Sequence, residues 1–173
     1  MEGAAGLAAL AAGRTPLSPR VQAGWATLAG LGAGVALYAA TAAFVLVVRL
    51  WPLFDRHVAE IYDQRKGLSL TAALILAAGV TAVGEELFWR GLVQGRLAEG
   101  FGWTVGALAT WSAYVVANAA SQSLPVLAGA IVGGAVWGSL ALWTHGVLSS
   151  LMCHAVWTAL MLAFPPGGVK ARR

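Results

Sequence analysis

Charge is scarce in this chain: Asp, Glu, Lys and Arg make up 10% of its 173 residues, where a soluble domain has roughly 25%. With 59% of the residues hydrophobic, a soluble fold has too little polar surface to cover them, so one polytopic membrane domain is expected. Cysteine is scarcer still. Cys153 is the only one, which excludes an internal disulfide and leaves the redox compartment undetermined. A basic stretch is missing from the Ala- and Leu-rich start, Met1 to Gly13, and Pro16 and Pro19 follow it; this argues against a cleavable signal peptide. The net charge of +4 comes mainly from the ends and one loop. That placement reads as membrane topology and contact with anionic lipid, and not as nucleic-acid binding.

The apolar residues lie in long runs. An N-terminal tail (1–20) leads into a first spanning segment (21–50), bracketed by Trp25 and Trp51 at opposite interfaces about 39 Å apart at 1.5 Å per residue. A polar interfacial stretch (51–68) follows, holding Asp55, Arg56, His57, Glu60, Asp63, Arg65 and Lys66. The core (69–164) then contains four more segments. One is capped by Ser69 or Thr71 and runs to about Leu97; one runs from Trp103 to Ala120; one is opened by Pro125 and reaches about Trp143; and one runs from Gly146 to Phe164, where Pro165 and Pro166 stop it. The closing stretch (165–173) is basic and weakly favours a cytoplasmic C-terminus. The expected fold class is therefore all-α, a transmembrane bundle of about five spanning helices plus an interfacial segment, multi-pass in the cell (inner) membrane. Gly129, Gly133, Gly134 and Gly138, spaced in fours, would allow close helix approach in lipid.

Between Gly67 and Phe164 the only charged side chains are Glu85, Glu86, Arg90, Arg96 and Glu99. A charge at membrane depth costs at least about 2.5–3.5 kcal/mol on insertion scales, so the run VGEELFWRG needs partners and points to chemistry. Glu86 and Arg90, four residues apart, share a helix face, while Glu85 points about 100° away. Arg90 then neutralises and positions Glu86, and Glu85 faces an interior cavity as a candidate general base. The alternative is a buried ion pair that only locks the helix to its neighbours. His154 lies inside the last segment with Thr158 one turn on, and Asn118 lies in the third segment one turn after Tyr114. Each of these can equally be a hydrogen-bonded packing residue.

Glu85-Glu86-x-x-x-Arg90 resembles the first motif of the CPBP intramembrane proteases, the group containing type II CAAX prenyl endopeptidases and bacteriocin-processing or bacteriocin-immunity proteins. Tyr114-Val-Val-Ala-Asn118 and His154-Ala-Val-Trp-Thr158 stand where that family has Phe-x-x-x-His and His-x-x-x-Asn, and the likeness covers about Leu70 to Phe164. The resemblance implies an integral membrane endopeptidase acting on a membrane-associated peptide or protein. In it Glu85 activates the attacking water, Glu86 and Arg90 support it, and His154 stabilises the oxyanion, with Asn118 and Thr158 in supporting positions. It also admits a divalent metal such as zinc, held by Glu85 and His154. Asn118 replaces the family's second histidine, and asparagine is neither a base near neutral pH nor a good transition-metal ligand. Two outcomes stay open: a site that works without two histidines, or an impaired, immunity-type scaffold of the same fold. An ion pathway through Glu85, Glu86 and Arg90 is a weaker third reading, because the chain shows no internal repeat of the transporter kind.

Overall fold

The computed structural model describes residues 17–48, 50–63 and 67–166, and the parts of the expected tails and polar loop at 1–16, 64–66 and 167–173 lie outside the described residues. Among the described residues six helices follow one another: α1 (Ala23–Val48), α2 (Pro52–Asp63), α3 (Leu70–Phe101), α4 (Trp103–Ala119), α5 (Leu124–Thr144) and α6 (Leu148–Ala163). The protein is an all-α membrane bundle. By length and composition three of these helices, α1, α3 and α5, can cross a membrane, while α6 is a shorter apolar helix. The seventeen residues of α4 and sixteen of α6 reach only about 26 and 24 Å at 1.5 Å per residue, short of a hydrocarbon core of about 30 Å.

Helix ends follow local chemistry. The Ser69 hydroxyl accepts from the Ala72 N–H at 3.1 Å and starts α3, so of the two expected caps Ser69 is the one used. Gly102, at φ +84°, turns the chain from α3 into α4. Pro125 sits in the first turn of α5, which ends at His145 in the left-handed region. At that end of the bundle the residues before α1 are tied to the α5–α6 turn, through Arg20 N–H to the Thr144 carbonyl at 3.2 Å and Leu148 N–H to the Leu17 carbonyl at 3.0 Å.

Helix α3 departs from the regular α-helix expected. Its hydrogen bonding widens to the π pattern over Ile75–Thr81 and again over Leu87–Gln94, and the α-helical stretch between, Ala82–Glu86, carries both glutamates. Such widening re-aims side chains and recurs at functional sites. Close backbone approach also occurs elsewhere than at the glycines first singled out. Helices α1 and α6 meet at Gly30 and Gly34, where a methyl group would strike the Ser149 carbonyl and lie 2.8 Å from the Cys153 carbonyl, respectively. Gly134 instead makes room for the rings of Trp111 and Tyr114.

The interfacial segment is a helix, α2, laid across one end of the bundle. Phe54, Val58 and Tyr62, one turn apart, are buried against Val45, Val48 and Leu124, while Arg56 and Glu60 pair at 3.8 Å on its exposed face. His57 Nδ1 accepts from the Leu124 N–H at 3.3 Å, and the Tyr62 hydroxyl donates to the Met161 carbonyl at 2.9 Å, fixing α2 to α5 and α6. Beneath α2, an apolar cavity of about 580 Å³ runs between α1, α5 and α6 as far as Gly133, Trp157 and Thr158.

Candidate active site

Glu86 lies near the middle of α3, about 24 Å from its start at 1.5 Å per residue, and its carboxylate is fully buried. One oxygen, Oε1, is shared by two partners. Arg90 Nη1 donates to it at 3.1 Å, and His154 Nδ1 lies 3.0 Å away. Arg90 is 2% and His154 7% exposed, so three ionisable groups meet in the interior of a membrane bundle. The contact fixes the orientation of the ring, with Nδ1 turned to the carboxyl group. The histidine ring also stacks on the buried Trp137, with centroids 3.7 Å apart and planes at 14°.

Arg90 has further partners through its other terminal nitrogen and its guanidinium face. Its Nη2 donates to the Gly134 carbonyl on α5 at 3.3 Å, and its guanidinium lies 4.6 Å from the ring centre of Tyr114 and 5.4 Å from that of Trp137. One turn further along α3, the buried Gln94 donates to the Gly138 carbonyl at 3.2 Å. Glu86, Arg90 and Gln94 thus form a ladder at four-residue spacing. Gly134 and Gly138, which carry no side chain, let its two donors reach the α5 backbone.

Glu85 has a different partner. Its Oε2 accepts from the Tyr114 hydroxyl at 3.0 Å, and the residue is partly exposed. Tyr114 packs edge-on against Trp137 and Trp89, with centroids 6.3 and 5.4 Å away, so the two carboxylates belong to one connected cluster even though they face apart.

The remaining expected residues are placed otherwise. Asn118 donates its amide to the Tyr114 carbonyl, one turn back on its own helix, at 2.9 Å, and not to Glu86 or His154. Thr158 lines the apolar cavity under α2, which none of Glu85, Glu86, Arg90 and His154 lines. Trp157 lines that cavity, packs edge-on against Trp137 with centroids 5.6 Å apart, and its ring centre lies 6.2 Å from that of His154. His154 is paired with Glu86, and Glu85, its expected partner in a metal site, is paired with Tyr114. Among the described residues no three His, Cys, Asp or Glu side chains come together in a group that could hold a metal ion. Neither other histidine joins the cluster, since His57 binds the start of α5 and His145 stacks on Trp103 with centroids 4.0 Å apart.

Sequence reasoning missed Trp137, Gln94 and the role of the Tyr114 hydroxyl. Gln94 had a signal, because it continues the four-residue spacing of Glu86 and Arg90. Trp137 had none, since one tryptophan among eight in an apolar chain does not stand out.

A family model described as type II CAAX prenyl endopeptidase Rce1-like matches residues 67–160, more than half of the chain and the stretch that holds α3 to α6 almost entirely. Comparison with curated proteins and with solved structures gave no match.

Proposed function

Because the chain belongs to the Rce1-like family of type II CAAX prenyl endopeptidases, we propose that it is an integral membrane endopeptidase that hydrolyses a peptide bond at or within the bilayer of the cell (inner) membrane. The observation that carries the reading is the buried convergence of Glu86, Arg90 and His154, 3.0–3.1 Å apart at their polar atoms. Groups so costly to bury default to function in a membrane protein.

In the proposed reaction the Glu85 carboxylate draws a proton from water while the water oxygen bonds to the carbonyl carbon of the substrate. The negative charge that develops on the carbonyl oxygen accepts from Nε2–H of a His154 imidazolium, whose charge Glu86 supports through Nδ1. Collapse breaks the carbon–nitrogen bond, and the proton held by Glu85 passes to the leaving amine. Arg90 holds Glu86 in place through its 3.1 Å contact with Oε1. Tethering the substrate to the membrane by an apolar anchor suits the cavity under α2, whose volume of about 580 Å³ lies within the roughly 300–1,000 Å³ of ligand sites and whose wall reaches Trp157 beside His154.

The test is cleavage of a lipid-anchored peptide by the purified protein in liposomes. Glu85→Gln keeps the size and a hydrogen-bond acceptor for Tyr114 but removes the base, and turnover falls about 10²–10⁴-fold. Wild-type turnover in that variant removes Glu85 from the mechanism.

One observation favours a second reading, a scaffold of the same fold without catalysis: Asn118, where the family has a histidine, is bonded to its own helix. Cleavage that appears only in Asn118→His selects that reading.

A further inference from the structure

We propose that Tyr114 is a positioning residue for Glu85, its hydroxyl supplying the polar partner that Asn118 does not. This inference rests on the protease reading above and concerns the same site. The family pattern places an apolar phenylalanine where this chain has Tyr114 and a histidine where it has Asn118. Here the Asn118 amide is spent on the Tyr114 carbonyl at 2.9 Å, while the Tyr114 hydroxyl crosses from α4 to α3 and donates to Glu85 Oε2 at 3.0 Å. In this chain the polar contact between the second motif and the glutamate pair comes from the motif's first residue, one helical turn before Asn118.

The phenol is well held. Trp89 and Trp137 meet its edges at 74° each, the Arg90 guanidinium covers its face at 4.6 Å, and the ring occupies the space that Gly134 leaves, with Cδ1 3.0 Å from where a methyl group would stand. With only two side-chain torsions and neighbours on all sides, the ring has little freedom to re-aim its hydroxyl. A donor fixed on Oε2 orients the carboxylate and leaves Oε1 as the oxygen that takes a proton from water. It also occupies Oε2, so that the carboxyl is less open to other reagents.

A purely structural tyrosine and a positioning one differ in what Tyr114→Phe changes. The substitution keeps every ring contact and removes one oxygen. Wild type, Tyr114→Phe and, as a matched control, Tyr38→Phe, which deletes a hydroxyl bonded to the Phe164 carbonyl just past α6, are compared in liposomes. Three readouts are taken: cleavage of a lipid-anchored peptide, melting temperature, and the rate at which a hydrophobic carbodiimide, to which accessible carboxyl groups add, modifies Glu85 as located by fragment mass spectrometry.

The expected result is a kcat lower by about 10- to 100-fold with KM unchanged in Tyr114→Phe, the worth of one hydrogen bond to a charged group, together with faster modification of Glu85 and an unchanged melting temperature. Tyr38→Phe matches wild type in cleavage and modification. Wild-type cleavage and wild-type modification of Glu85 in Tyr114→Phe overturn the proposal, as does slower cleavage that merely follows a lost melting temperature. If the wild-type protein cleaves nothing, the protease reading fails by itself, and the carbodiimide rate still decides Tyr114: faster modification supports the placement and an equal rate overturns it.

Discussion

Replacing Arg90 by methionine probes the balance on which the buried cluster depends. The substitution keeps an unbranched apolar side chain in the space but removes the charge that meets Glu86 Oε1 at 3.1 Å and the donor that reaches the Gly134 carbonyl at 3.3 Å. Glu86 is fully buried, so its carboxylate cannot recover the loss from water. Breaking a buried pair from one side costs about 3–5 kcal/mol, most of it the penalty of the charge left behind. The loss of the guanidinium over Tyr114 belongs to the same total and does not add fully to it. If the stranded charge is the main cost, removing it as well should return much of the stability. Arg90→Met with Glu86→Gln is therefore expected to be more stable than Arg90→Met alone by at least about 1.5 kcal/mol, a share of that penalty. Reversible unfolding in mixed micelles, followed by tryptophan fluorescence, measures both variants. Equal stability of the single and double variants would refute the reasoning, because Glu86 would then not be a charge that Arg90 compensates.

Other outcomes follow from the packing. Gly30→Ala and Gly34→Ala place a methyl group against the backbone of α6 and are expected to destabilise the bundle by about 1–3 kcal/mol each, whereas Gly24→Ala, with nothing within 4 Å, is not; thermal melts of the three variants check this. Thr158→Phe projects a ring into the cavity under α2 and should slow cleavage of a lipid-anchored peptide while leaving the melting temperature close to wild type, which proteoliposome assays measure. His145, outside the spanning helices, has its pKa lowered by burial and then by the nearby Arg20 charge. Its folded value lies below its unfolded value of about 6.5, so the stability it contributes is present above that pH and is lost as pH falls through it. His145→Asn, which also tolerates the left-handed backbone at φ +53°, should therefore lose less stability than wild type between neutral and mildly acidic pH in melts run across that range.

Much of the bundle could be read directly from the chain because its signals are local. Apolar runs set the helices, and Ser69, Gly102, Pro125 and Pro165 mark ends that depend only on adjacent backbone. The joining of Glu86 to Arg90 was equally legible, since a four-residue spacing brings side chains together on almost any helix. What the chain concealed depends on contacts between distant segments. Nothing near Tyr114 shows that its hydroxyl reaches Glu85 on another helix, and nothing near Trp137 shows that it will stack on His154. The π-widened turns of α3 were hidden as well, because no residue in ILAAGVT or LFWRGLVQ marks them. Asn118 and Thr158 were placed near the reaction by motif spacing, yet spacing says only which face of a helix a residue occupies. Whether that face meets the glutamates is decided by how α4 and α6 pack.

The central claim is that Glu86 acts on the substrate through His154, and cleavage of a lipid-anchored peptide by Glu86→Gln in liposomes tests it most directly. Glutamine preserves the shape of the side chain and a carbonyl oxygen for Arg90 and His154 but cannot support an imidazolium. The account predicts a folded protein whose turnover is lower by about 10²–10⁴-fold. A folded Glu86→Gln protein that cleaves at the wild-type rate would contradict it.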